Sequence, residues 1–170
     1  MYYVSRAFFG IFAVYLAGTT SIADMARATT YELSGRIKIT KVSDGDSLRS
    51  GTLRIRLFGI DAPELKQKCA DQNGVLWGCG SAAQRRLVDL IGAEKELHCR
   101  LRDVDHFGRL IMQCFNGSTD IGAAMVQTGH AQAYRHFSDL YISDERQARK
   151  AGKGVWQGEF VPPWEWRRQN

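Results

Sequence analysis

No part of this 170-residue chain repeats and no segment is of low complexity, which excludes solenoids and biased tails. Nor does any apolar run reach the ~20 residues of a membrane-spanning helix; the longest, Ala7 to Gly18, is too short. No C-x-x-C occurs, and no histidine stands at zinc-finger spacing from the four cysteines. A structural zinc site is therefore the poorer reading. There is no acidic tail, and the formal charge is +5, a modest excess that suits a polyanionic partner without requiring one.

What is present begins with a leader. Arg6 precedes the apolar run, and the small-residue patterns Ser21-Ile22-Ala23 and Ala26-Arg27-Ala28 follow it. Together these describe a secretory signal peptide. Residues 1–28 are expected to be the leader, cleaved after Ala23 or Ala28, and residues 29–170 one domain with one core. Export to a periplasm or beyond the cell is expected, with no stable membrane association after cleavage. In such an oxidising compartment the four cysteines should pair as disulfides.

Alternation of apolar and polar residues predicts a strand over Arg36–Val42 and another over Leu53–Leu57, with Leu48 between them. Asp44-Gly45-Asp46 and Ser50-Gly51 supply turns, and Pro63 stops the ladder after Asp61 because it has no N–H to donate. These are three strands of a meander. Residues 65 to 80 read as irregular. Ser81 and Gln84 form a capping-box signature, followed by Ala83, Leu87, Leu90 and Ile91 at helical spacing and by Gly92 as the stop. Leu97–Leu101 and Leu110–Phe115 form a hairpin, and pairing about its His106–Phe107 centre sets Cys99 opposite Cys114. A Cys99–Cys114 disulfide follows from this register, which leaves Cys69–Cys79 to close the long loop. Asp120 can cap a helix through Ile121 and Met125, and Ser143-Asp144-Glu145 opens another. The tail from Phe160 to Arg168 carries two tryptophans and two prolines, expected to clasp the core rather than to stack on bases. The sum is an α+β, mainly β, small barrel with helices packed on it.

Phosphodiester hydrolysis needs an activated water, neutralisation of charge on the phosphorus oxygens and stabilisation of the departing oxygen. Oxygen-ligated hard cations and arginine forks serve the last two needs, and a carboxylate serves the first. Asp46 stands after a turn, and Asp61 and Glu64 stand at a strand exit that a meander brings close to it. Arg56 lies on the strand leading to Asp61, and Arg109 follows the hairpin turn. By residue type alone each acid also fits an ordinary turn, and each arginine an ordinary surface charge. Both readings stay open on the residues alone.

The segments Val42-Ser43-Asp44-Gly45-Asp46-Ser47, Arg54-Ile55-Arg56-Leu57-Phe58-Gly59-Ile60-Asp61-Ala62-Pro63-Glu64 and Asp105-His106-Phe107-Gly108-Arg109 look like three signatures of the thermonuclease family, typified by staphylococcal (micrococcal) nuclease. Gly129-His130-Ala131 and Gly154-Val155-Trp156 resemble its later landmarks, so the resemblance runs from about residue 36 to 156. It implies an OB-fold, a five-stranded barrel with about three packed helices, holding one calcium ion. By motif position, Asp46 and Asp61 would give carboxylate ligands and Ala62 its backbone carbonyl. Glu64 would be the general base, and Arg56 and Arg109 would grip the phosphate. The implied activity is cleavage of DNA and RNA, single strands favoured, with little sequence preference and 3′-phosphate products; a monomer is expected.

Some positions depart from the family pattern. Ala62 stands where threonine is frequent, which a carbonyl ligand tolerates. Phe107 replaces a tyrosine, removing a hydroxyl, and His106 stands where the type enzyme has lysine, which makes any phosphate contact there pH-dependent. Tyr134 is a candidate base-stacking residue. The Cys69–Cys79 loop has no counterpart in the type enzyme. Two other functions compete with the nuclease. One is an OB-fold module that holds single strands without cutting them, against which Arg56, Glu64 and Arg109 are all retained. The other is a part in envelope or exopolysaccharide assembly, for which no sugar-processing site is recognisable.

Overall fold

The computed structural model describes residues 33–170; the expected leader and both cleavage positions lie outside the described residues. In chain order the strands before the first helix are β1 (Ser34–Lys38), β2 (Lys41–Val42), β3 (Ser47–Ser50), β4 (Leu53–Leu57), β5 (Ile60–Asp61), β6 (Cys69–Ala70) and β7 (Leu76–Trp77). Then come α1 (Cys79–Ile91), β8 (Glu96–Val104), β9 (Leu110–Asn116), β10 (Thr119–Asp120), α2 (Ile121–Gln127), β11 (Gln132–Ala133), α3 (Ile142–Lys150), a 3₁₀ turn (Gly154–Gln157) and α4 (Pro163–Gln169).

The strands of the main sheet neighbour one another in the order β1-β8-β9-β4-β3-β2, with β4 and β9 parallel. The two ends of that path are halves of one bent strand, separated only by Ile39 and Thr40. Hydrogen bonds bridge the bend on either side: Ile39 N donates to Lys95 O at 2.6 Å and Thr40 N to Arg49 O at 2.8 Å. The sheet therefore curls back on itself, and counting the bent strand once gives the five strands expected of an OB-fold barrel. Its interior holds Leu48, Ile55, Leu57 and Leu97, and the helices add Leu87, Ile121 and Met125, all buried. Burying each such side chain is worth about 1.5–3 kcal/mol before entropy is set against it.

The hairpin of β8 and β9 pairs Cys99 with Cys114 as its sequence register predicts, and both expected disulfides form. Nearer the turn the register slips by one residue between Leu101 and Asp103, a β-bulge that increases local twist. Asp120 caps α2 as expected, its carboxylate accepting from Ala123 N at 3.1 Å.

Helix α1 departs from expectation. It starts at Cys79, before Ser81, and its N-cap residue Gly78 makes no side-chain cap bond. The Cys69–Cys79 bridge and a bond from Gly80 N to Gln67 O, 3.2 Å, fix that earlier start. Gln84 is then spent elsewhere, donating to Val42 O and Ser43 O, each at 3.1 Å. Three helices pack with the barrel as the sequence suggests, and the tail contributes α4 as a fourth. Among the described residues no helix is long and apolar enough to cross a membrane.

Candidate active site

The Asp44-Gly45-Asp46 turn is held against α1 because only glycine fits its centre. A Cβ on Gly45 would meet the Cβ atoms of Ala62 and Ala83 at 2.6 and 2.7 Å. Gln84 grips the carbonyls just before the turn, and Leu57 N donates to Asp46 O at 2.8 Å just after it. Asp46 is thereby turned inward and buried. Its Oδ1 accepts from Ser47 Oγ and from Arg56 Nη1, each at 2.9 Å, and its Oδ2 from Ala62 N at 2.9 Å. Burial, followed by the charge of Asp46, pushes the neighbouring Asp44 carboxyl up to about 6.

Arg56 reaches the second acid with its other nitrogen, Nη2 donating to Asp61 Oδ1 at 2.6 Å. Asp61 is fully buried on the short strand β5, which pairs with β11 so that Asp61 lies opposite Gln132. Burial alone would pull the Arg56 guanidinium down, but the charges of Asp46 and Asp61 outweigh it and hold its pKa above the ordinary arginine value. One fork thus bridges two buried carboxylates, the geometry that planar guanidinium favours.

A second guanidinium comes from the far end of the chain. Arg167, on α4, donates to Asp61 Oδ1 at 3.0 Å and Oδ2 at 2.9 Å, and to Glu64 Oε1 at 2.8 Å. The same three oxygens hold its pKa above the ordinary value despite partial burial. Glu64 is also fixed through its backbone, its N–H donating to Gln67 Oε1 at 3.1 Å. Gln67 is buried, and its Nε2 donates to Val161 O at 2.6 Å, so one side chain ties the Glu64 loop to the segment entering α4. Neither Arg167 nor Gln67 is among the residues marked out by the sequence motifs. The tail, expected as a clasp over the core, carries a charged group into the acid cluster.

The remaining candidates lie apart from these contacts. Arg109 Nε donates to Asp105 Oδ2 at 2.7 Å, and its backbone N–H donates to Asp105 Oδ1 at 2.9 Å. Desolvation pulls the Asp105 carboxyl up, but these bonds and the Arg109 charge together outweigh it and hold it below the ordinary range. The parallel register sets Ile55 beside Leu110 and Arg56 beside Ile111. Arg109 therefore emerges one position before that ladder, on the face that Arg56 shares. His106 is exposed at the hairpin tip, its ring 3.8 Å from that of Phe107. Tyr134 stands against Phe137 and Trp164. The structure thus unites Asp46, Arg56, Asp61, Ala62 and Glu64, and places Arg109, His106 and Tyr134 on elements around them.

The donor chemistry fits a hard cation. Asp46 and Asp61 turn oxygens toward one guanidinium, and every side-chain donor in the cluster is a carboxylate, which suits calcium rather than a soft metal. Among the described residues no three His, Cys, Asp or Glu side chains form a ready-made cage. A cation held here would take two carboxylates, a backbone carbonyl and water.

A family model described as Staphylococcal nuclease homologue matches residues 54–158. The Micrococcal nuclease of Shigella flexneri is 33% identical over 151 residues, covering 78% of this chain and 80% of the relative. The Probable staphylococcal-like nuclease CAN2 of Oryza sativa subsp. japonica is 34% identical over 134 residues, covering 77% of this chain and 33% of the relative. The Succinoglycan biosynthesis protein ExoI of Rhizobium meliloti (strain 1021) is 28% identical over 120 residues, covering 69% of this chain and 63% of the relative. The chain thus spans about a third of the rice protein and under two thirds of the rhizobial one.

Proposed function

The chain belongs to the staphylococcal nuclease family, and from that premise we propose that it is an exported, calcium-dependent nuclease hydrolysing DNA and RNA with little sequence preference. The observation that carries this reading is the double reach of Arg56, which joins Asp46 and Asp61 beside Glu64. On this reading that constellation would supply a cation seat, a base and a phosphate grip.

Asp46, Asp61 and the Ala62 carbonyl would hold one calcium ion, which supplies charge neutralisation at the phosphoryl oxygens. Glu64 accepts a proton from the attacking water as the water oxygen bonds to phosphorus. The bond from phosphorus to the 5′ oxygen breaks, that oxygen gains a proton, and a 3′-phosphate and a 5′-hydroxyl result. Arg56 donates to the phosphoryl oxygens with the N–H groups that its two carboxylate bonds leave free, and Arg109 donates from the hairpin. Both oppose the charge that builds as phosphorus becomes five-coordinate. Arg167 covers both Asp61 oxygens and Glu64 Oε1, so its side chain withdraws for a cation and a water to reach them.

The two disulfides support an oxidising destination. Similarity to a succinoglycan biosynthesis protein favours polysaccharide assembly as a second biological setting, without changing the chemistry of the acids. The test is digestion of denatured DNA and RNA by the purified protein and its Glu64→Gln variant. A drop of about 10²–10⁴-fold is expected if the base is removed. Unchanged cleavage by the variant would refute Glu64 as the base.

A further inference from the structure

A cleft of about 690 Å³ lies between β11 and the segment after it on one side and α3, the 3₁₀ turn and α4 on the other. None of Asp46, Arg56, Asp61, Glu64 or Arg109 lines it. Its walls are aromatic and its free charge is positive. The rings of Tyr134 and Trp164 are parallel to within 9°, their centroids 6.3 Å apart. Across the cleft the Arg149 guanidinium lies 4.8 Å from the centre of the Trp156 ring. The one acid that lines the cleft, Glu145, is already engaged by Arg135 and by Ala133 N. Neither Arg149 nor Arg168 forms an ion pair among the described residues.

Two buried polar atoms on this lining have no hydrogen-bond partner among the described residues. They are an acceptor, Gln132 Oε1, and a donor, Trp156 Nε1. Gln132 is only 4% exposed, and both atoms are enclosed by protein, so they lie behind the cleft wall and not on its open face. A nucleotide suits the open face of the cleft: its base stacks on aromatic rings and its phosphate pairs with arginine.

The cleft is also next to the acids. Gln132 sits opposite Asp61 in the β5–β11 pair, and Arg168 follows the residue that holds Asp61 and Glu64. Resting on the nucleic-acid reading above, we propose that this cleft is a second nucleotide subsite, taking an unpaired base and its phosphate from the strand flanking the bond to be cut. A base inside a duplex is stacked and paired and would not enter, so the cleft selects single strands.

The test measures binding, so that it is decided apart from catalysis. Glu64→Gln protein in excess chelator is titrated with a fluorescent twelve-residue oligothymidylate and with an abasic oligonucleotide of the same length. Fluorescence anisotropy is the readout. Trp164→Ala in that background should weaken oligothymidylate binding roughly five- to hundredfold, the range for one stacked base, and leave abasic binding nearly unchanged. Arg149→Ala, on the opposite wall and away from α4, should weaken both probes several-fold. It serves as the deciding variant if circular dichroism shows Trp164→Ala to be unfolded. Oligothymidylate binding that is unchanged in Arg149→Ala overturns the proposal, as does an equal loss for the two probes in a folded Trp164→Ala. Cleavage by Glu64→Gln protein in calcium would instead refute the base assignment and leave the subsite result standing.

Discussion

The two arginines expected to hold phosphate are built in opposite ways. Arg56 is buried on a central strand and spans two carboxylates from distant turns, its side chain 13% exposed. Arg109 sits at the mouth of a hairpin whose turn satisfies itself, with Asp105 taking both its backbone N–H and its Nε. The first is positioned by tertiary packing, and the second by contacts within its own turn. Charge in a catalytic site can therefore be part of the fold or can be held in reserve beside it. The difference should show when stability and activity are measured on the same variants.

Arg56→Ala gives the largest expected effect, because it strikes both properties. Removing Arg56 leaves buried Asp46 with no guanidinium and Asp61 with Arg167 alone, at a cost of about 3–5 kcal/mol. Denaturant melts in chelator should register that loss, and cleavage should fall by about 10²–10³-fold. Arg109→Ala should cost about 10²-fold in cleavage while shifting the unfolding free energy by less than about 1 kcal/mol. If Arg109→Ala destabilises as much as Arg56→Ala, the contrast between the two arginines fails.

Arg167→Gln probes the cation side of the same cluster. Its guanidinium occupies oxygens that calcium would need, so its loss should tighten calcium binding about three- to tenfold, a modest gain because the side chain is 35% exposed. Isothermal titration with calcium alone reads this directly. Weaker binding in the variant would mean that Arg167 supports the cation seat rather than competing for it.

The smallest expected effect lies away from the acids. Burial, then the charge of Arg86, holds the His130 pKa below its ordinary 6.5. The unfolded chain therefore binds more protons just below pH 6.5, and stability should decline as pH falls from there through the folded value. His130→Gln should flatten that part of a melting-temperature profile taken from pH 7.5 to 5. An identical slope in the variant would place the decline on another group.

Much of this was legible from local pattern. Strand alternation gave the meander, and the hairpin centre gave Cys99 against Cys114 because cross-strand register is a matter of counting. The acids and arginines stayed ambiguous by residue type, because turns favour Asp and surfaces favour Arg; the resemblance across three ordered motifs marked out Asp46, Arg56, Asp61, Glu64 and Arg109. What escaped notice acts at long range. Arg167 meets residues more than a hundred positions away, and its surroundings read as an ordinary tail of tryptophan, proline and charge. Gln67 and Gln84 bond to backbone atoms far along the chain, and no spacing rule announces such contacts. The start of α1 departs from its local signal for a related reason: a disulfide and the close approach of Gly80 to Glu64 O outweigh the capping pattern at Ser81.

The most direct test of the central claim is cleavage of denatured DNA by the wild-type protein, followed through calcium, excess chelator and restored calcium, with the product ends identified. The expected result is 3′-phosphate products in calcium, no cleavage in chelator, and recovery when calcium is returned. Cleavage that continues in chelator, or products ending in a 3′-hydroxyl, would contradict the roles given to Asp46, Asp61 and Glu64.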